Sequence, residues 1–170
     1  MMEKIIYRTA QENDAEKIVN FFNIVGGETN YMSFEKDEYP LDVEEQAALI
    51  RSIEGNETNT ILLAMDGEEI AGLSTITSSH KIKSRHDAEL GIVVAKRYQG
   101  RGIGTSLISQ VIDWVRENGI TTRISLEVRA DNVKAVEIYL KFGFLVEGCK
   151  KNSTLLNGVY YDDYIMGMML

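Results

Sequence analysis

The stretch with the clearest chemical content is Gln99-Gly100-Arg101-Gly102-Ile103-Gly104. Glycines at three alternate positions let backbone N–H groups approach a ligand without a Cβ in the way. A segment of helical periodicity begins at once, so the free N–H groups and positive dipole end of a helix lie beside them, which favours phosphate. A tight strand–helix connection would need the same glycines, and the loop alone leaves both readings open. Two familiar phosphate loops do not match. A P-loop ends in Gly-Lys-Ser/Thr, whereas Gly104 is followed by Thr105 and Ser106. A dinucleotide fingerprint belongs to the first strand–helix unit, whereas this loop lies mid-chain. Two carboxylates, Glu89 and Glu127, interrupt apolar strand-like runs. A glutamate there is costly unless it is paired or reached by water, so at least one of the two is expected to have a functional role, and a salt bridge to Arg123 or Arg129 is the plain alternative. One cysteine, Cys149, and two histidines, His80 and His86, supply neither a disulfide nor a metal centre, and no metal is expected.

The elements that must position these residues follow from periodicity and punctuation. Ile5 to Arg8 reads as a strand, followed by a helix carrying Ile18, Val19, Phe21, Phe22 and Val25 and stopped by Gly26-Gly27. Glu28 to Pro40 reads as a loop. Asp42 and Glu45 have capping-box spacing ahead of a second helix, closed near Gly55. Thr60 to Met65 and Glu69 to Thr77 form a hairpin about Asp66-Gly67, and His86 to Ala95 is the next strand. Ile103, Leu107, Ile108, Val111, Ile112 and Val115 share one helical face, ended by Asn118-Gly119. Ile124 to Val128 is a strand, and Asn132 caps a helix through Ala135, Val136, Tyr139 and Phe142 that Gly143 closes. Phe144 to Gly148 and Val159 to Met168 are the last strands, with an Asn157-Gly158 turn between them. The order β-α-α-β-β-β-α-β-α-β-β predicts an α/β (α+β) fold with a mixed, mostly antiparallel sheet.

The chain has 170 residues, 26 acidic and 18 basic, a net charge of −8. That length suits one domain over residues 1–170, with no repeat or linker to divide it. The acidic balance argues against duplex nucleic acid as partner and is compatible with a cationic amine. No apolar run approaches the roughly 18 residues of a membrane span. The opening Met1-Met2-Glu3-Lys4 lacks the basic-then-apolar pattern of a signal peptide. A cytoplasmic protein without membrane contact is expected, and the apolar end Ile165 to Leu170 suggests a homodimer pairing through the last strand.

Gln99-x-x-Gly102-x-Gly104 after an apolar strand resembles the acetyl-CoA pyrophosphate loop of the Gcn5-related N-acetyltransferases, the GNAT superfamily. Asn132-x-x-Ala135-x-x-x-Tyr139-x-x-x-Gly143-Phe144 resembles the second signature of that superfamily, in its ribosomal-protein N-terminal and phosphinothricin-type members. The resemblance covers roughly residues 60–168. It implies an acyl-CoA N-acyltransferase fold of about seven strands and four helices, with acetyl-CoA as cofactor and a primary amine, on a small molecule or a protein N-terminus, as acceptor. By the same resemblance, Gln99, Gly100, Arg101, Gly102, Ile103, Gly104 and Thr105 cradle the pyrophosphate. Ile92, Val93 and Val94 offer their main chain to the pantetheine arm beside a bulge in the fourth strand, the amide near Val94 faces the oxyanion, and Asn132 contacts the arm. Many members carry a proline just after this strand, where this chain has Ala95-Lys96. Tyr139 falls at the position of the general acid, while Glu127 and Glu89 match base positions of the two member types. The acceptor pocket would be built by Glu28, Tyr31 and Phe34 in the first loop and by Tyr160, Tyr161, Asp162 and Asp163 at the last hairpin.

Acetyl transfer to an amine requires a held thioester, a neutral amine, a stabilised oxyanion and a protonated leaving thiol. A thiol of pKa about 8.5 and a tyrosine of about 10 make the last step modest. Neutralising a lysine-like amine at pH 7 costs about 4.6 kcal/mol, against about 1 kcal/mol for an α-amine, so the demand on the base depends on the acceptor. The alternative is a non-catalytic acyl-CoA-binding or regulatory module, which would need neither Tyr139 nor Glu127. A plain interaction domain with coincidental glycines is a third reading.

Overall fold

The computed structural model describes residues 4–170; residues 1–3, where the signal-peptide pattern was sought, lie outside them. Among the described residues the elements run β1 (Ile6–Thr9), α1 (Ala15–Glu28), α2 (Val43–Ile53), β2 (Thr60–Asp66), β3 (Glu69–Ser78) and β4 (Asp87–Val94). They continue with α3 (Ile103–Glu117), β5 (Arg123–Arg129), α4 (Val133–Phe142), β6 (Leu145–Leu156) and β7 (Val159–Met169). This is the order read from the sequence. The Asp42–Glu45 capping box forms, with Glu45 N donating to Asp42 Oδ1 at 2.8 Å and Asp42 N to Glu45 Oε2 at 3.0 Å. Asn132 caps α4 through Ala135 N. No helix among the described residues is long and apolar enough to cross a membrane.

The strands form one sheet in the order β1-β2-β3-β4-β5-β7-β6, antiparallel except between β4 and β5. Two apolar clusters stabilise it. Ile18, Phe21 and Val25 of α1 pack with Ile50, Leu63 and Leu73, while Val111 and Val115 of α3 pack with Ile124, Leu126 and Met166. α3 bridges the clusters, sending Ile103 and Leu107 into the first and Ile108 and Ile112 into the second.

Four expectations change. Gly26-Gly27 does not stop α1, which runs on to Glu28. The glycines serve a close approach instead, because a Cβ on Gly26 would lie 2.5 Å from the Glu35 carbonyl oxygen. β6 extends eight residues beyond Gly148, past irregular register between Lys150 and Thr154 that the polar sequence there conceals. The last strand offers no free edge for pairing with another copy, because β7 is paired on both sides, with β5 and β6. Finally, β4 has no bulge against β3, its register running one to one from Ser78↔Ala88 to Gly72↔Val94.

The two central strands separate nonetheless. β4 pairs with β5 only from Asp87↔Arg123 to Glu89↔Ser125. Beyond that point β4 stays with β3, and β5 stays with β7 as far as Arg129↔Asp163. Each strand follows the partner on its far side, so the sheet divides without a bulge or a proline.

Candidate active site

Within β4 the direction of each peptide is set by its neighbours. Ala95 N donates to Ala71 O at 3.0 Å, on the β3 side, and His86 O accepts from Thr122 N at 2.9 Å, on the β5 side. Alternation along a strand then turns the main-chain groups of Leu90, Ile92 and Val94 into the gap. Val93, expected to offer its main chain with the other two, is instead turned to β3 opposite Leu73. The Val94 carbonyl already accepts from Gln99 Nε2 at 3.2 Å, leaving its N–H toward the gap.

After β4 a short turn (Lys96–Tyr98) leads into the glycines. Tyr98 anchors it. Its ring is 4% exposed and lies beneath the guanidinium groups of Arg97 and Arg101, at 4.9 and 5.2 Å. Its hydroxyl is 2.9 Å from Asp66 and 3.1 Å from Glu69, and burial, helped by these carboxylates, pushes its pKa up to about 12. Gly100 and Gly102 adopt φ of 77° and 80°, the left-handed region that side chains other than glycine rarely occupy. Gly102 therefore caps α3 without a side chain, and the first turn carries no acidic residue. Ser106 is the first residue to bond back, to Gly102 O at 3.0 Å. The N–H groups of Ile103, Gly104 and Thr105 have no partner within the helix and form an electropositive concavity beside the gap.

The two faces of the divided sheet carry different chemistry. Leu90, Leu126 and Val128 share an apolar cluster with Tyr139. The Tyr139 ring is 7% exposed and meets Phe144 edge to face at 5.7 Å. Its hydroxyl has no hydrogen-bond partner among the described residues, and burial pushes its pKa up to about 12. The group therefore stays protonated, a donor across the working pH range. Asn132 holds the start of α4 at the C-terminal end of β5.

Residues opposite one another in a ladder share a face, so Glu89, Ser125 and Glu127 project together from the other side. Glu127 pairs with Lys150, whose Nζ is 2.9 Å from its Oε2, and not with Arg123 or Arg129. Glu89 is exposed and unpaired among the described residues. Arg129, 8% exposed, grips Asp131 at 3.0 and 2.7 Å and donates to Asn30 O at 2.6 Å. Its guanidinium stacks on Tyr161 at 3.9 Å and Tyr31 at 4.9 Å, fastening the loop after α1 to β5 and β7.

The expected acceptor residues scatter. Glu28 belongs to α1 and accepts from Lys96 N at 2.8 Å, bracing the turn before the glycines. Phe34 packs on Phe22 and Tyr39 at 5.9 and 5.5 Å. Tyr160 is exposed near the β6–β7 turn. Asp162 spends both oxygens on β6, accepting from Lys151 Nζ at 2.8 Å and Asn152 N at 2.9 Å. Of the expected acceptor residues, Tyr31 and Tyr161 lie beside Glu127's strand through Arg129, and Asp163 lies opposite Arg129 in the β5–β7 ladder. Sequence reasoning missed Lys150, because β6 was read as ending before it, and Tyr98, whose single aromatic ring carries no spacing signal.

The model of the Acetyltransferase (GNAT) family matches residues 27–144. The chain belongs to this family. A solved GNAT-family acetyltransferase from Streptococcus pneumoniae is 33% identical, with a TM-score of 0.95 over 98% of this chain and 100% of that one. Among curated GNAT relatives, the L-amino acid N-acetyltransferase AaaT of Escherichia coli K12 is 34% identical over 62% of this chain and 65% of its own length. The spermidine N(1)-acetyltransferase of the same organism is 34% identical over 56% of this chain and 50% of its own length. The chain thus spans about half to two thirds of these curated relatives, and its GNAT membership covers the glycine loop and α4 alike.

Proposed function

We propose that the chain is an N-acetyltransferase, acting as a single unit, that moves an acetyl group from acetyl-CoA to a primary amine by direct attack on the thioester. The observation that carries this reading is the unpaired edge of β4 opening next to a glycine-capped helix start. Acetyl-CoA fits that arrangement. The N–H groups of Ile103, Gly104 and Thr105, with Gln99 to Gly102, suit a pyrophosphate, and the main chain of Ile92 and Val94 suits the amides of a pantetheine arm, with Asn132 at the far rim. Bound there, the cofactor supplies the acetyl group as an activated thioester.

The remaining work falls to the chain's own residues. The Val94 N–H, turned into the gap, is the donor for developing negative charge on the acyl oxygen. Tyr139, held protonated, gives its proton to the departing sulfur. Glu127 or Glu89, on the opposite face, takes the proton of the attacking ammonium directly or through water. The amines named for the relatives, an amino acid and spermidine, support a primary amine as acceptor, either a peptide α-amine or a small molecule. The cytoplasm is the compartment this reading assigns, in keeping with the single cysteine.

Calorimetry with CoA and a thiol-release assay over a panel of amines test the proposal. Binding with release on at least one amine, lost on Tyr139→Phe, is the expected result. Binding without release on any amine would favour the acyl-CoA-binding module, and no binding would sink both readings.

A further inference from the structure

The face of β4 that carries Glu89 changes character pair by pair along the β3–β4 ladder. Leu73↔Val93 belongs to the apolar cluster that includes α1, Thr77↔Glu89 is polar, and Thr75↔Gly91 lies between them. Gly91 does not adopt a positive φ, so its backbone does not call for glycine. A glycine inside a strand weakens it, and one that the conformation does not need marks a close approach. Here the approach is made by Thr75. A Cβ on Gly91 would stand 2.6 Å from the Thr75 Oγ1 and 3.9 Å from the Thr75 Cβ. The threonine thus turns its hydroxyl, and not its methyl group, across the sheet onto β4.

The place of this hydroxyl in the divided sheet gives it chemistry. β4 pairs with β5 for the last time at Glu89↔Ser125, so Gly91 is the first residue on this face beyond the parting. Its missing side chain leaves a depression one residue wide between Val93 and Glu89, open toward the gap, with Thr75 as its wall. Thr75 and Gly91 are both partly buried, neither sealed in the core nor free on the surface. The next residue, Ile92, turns its main chain into the gap where a pantetheine arm fits. Glu89 lies about 7 Å back along the strand, close enough to take a proton from the depression directly or through one water. Thr77 and Ser125 flank it in a cleft of about 400 Å³. An attacking amine must keep its lone pair on the thioester, and an acceptor for one of its hydrogens fixes that orientation. The Thr75 oxygen supplies one, whereas Leu73 and Val93 cannot.

We propose that Thr75 positions the acceptor, its Oγ1 accepting a hydrogen bond from the attacking amine, and that residue 91 is glycine so that this hydroxyl can stand over β4. This rests on the acetyl-transfer reading above. Thiol release with the best amine of the panel tests it, with CoA calorimetry on each variant to report an intact fold. Thr75→Val keeps the side chain's shape and removes the hydrogen bond. It raises the acceptor KM roughly tenfold, while Thr75→Ser stays within about twofold of the wild type, the difference one hydrogen bond makes. The KM for acetyl-CoA and the affinity for CoA do not change in either. Gly91→Ala displaces the hydroxyl and raises the acceptor KM as Thr75→Val does. Thr75→Ala combined with Gly91→Ala makes room for the new methyl group, so it recovers thermal stability but not the acceptor KM. An unchanged acceptor KM in Thr75→Val, an equal rise in both KM values, a Thr75→Ser variant as impaired as Thr75→Val, or recovery of the acceptor KM in the double variant each overturn the proposal. The wild-type chain separates the two claims. No release on any amine overturns acetyl transfer and this assignment together; release that Thr75→Val leaves untouched overturns the assignment alone.

Discussion

Tyr139 is the residue whose environment is most fully specified. Its ring is packed against Phe144, so Tyr139→Phe keeps the packing and removes only the proton donor. Thiol release should fall roughly 10²-fold or more in kcat with KM for acetyl-CoA little changed, the size expected for loss of a general acid. A stopped thiol assay at saturating acceptor checks it. The same burial predicts an alkaline weakness. Tyr139 and Tyr98 both titrate near 12 when folded, against about 10 when unfolded. The folded state therefore binds these protons more tightly; stability is intact below about pH 10 and declines toward pH 12, by on the order of 2 kcal/mol per tyrosine. Urea midpoints at about pH 9 and 11.5 should show this loss, and Tyr139→Phe should remove part of it. Legibility differs from residue to residue. Tyr139 and Asn132 are singled out because the motif from Asn132 to Phe144 resembles the family's second signature, and that motif is contiguous in the sequence. Lys150 and Arg129 matter through partners on other strands and loops, which spacing along the chain does not record.

Among the elements, α1 and the loop after it depend on two local fits. The Asp14 carboxylate takes both ends of the Arg8 guanidinium, at 2.6 and 2.8 Å, and also accepts from Gln11 N at 2.8 Å. Its hydrogen bond to Arg8 holds its pKa below the ordinary carboxylate value. This contribution is present above about pH 4 and lost as the pH falls through the folded value. Asp14→Asn should cost about 1–3 kcal/mol at neutral pH and flatten the acid limb of stability, as read by urea unfolding from pH 7 to 3. Gly26→Ala would push a methyl group onto the Glu35 carbonyl and lift the loop that carries Tyr31 to Arg129. It should cost about 1–3 kcal/mol and raise the acceptor KM more than the acetyl-CoA KM. The order of elements was readable because each boundary is local: a capping box, an Asn cap, a two-residue turn. The glycine pair was misread because glycine at a helix end and glycine under a crossing chain look alike in sequence. The split of β4 from β5 was readable only through resemblance, since it arises from where two neighbouring strands lead.

At the scale of the whole molecule, two paired blocks, β1 to β4 and β5 to β7, meet in one sheet through three residue pairs and the bridging helix α3. The alternation along β4 makes a sharp prediction. The amides of Ile92 and Val94 should exchange with deuterium quickly in the free protein and slow markedly when CoA is added, while Val93, bonded to β3, should be slow in both. Equal exchange at all three positions would contradict the assignment. A ligand that fills those positions completes the sheet's hydrogen bonding, so unfolding should shift upward with CoA by about 2.7 kcal/mol at a hundredfold excess over Kd. The open stretch of β4 has a further consequence. An unpaired strand at the margin of a sheet recruits neighbouring chains and invites aggregation. Here the unpaired stretch lies inside the sheet, between β3 and β5, so its unmet hydrogen bonds are withheld from other proteins and reserved for a guest slim enough to enter between two strands.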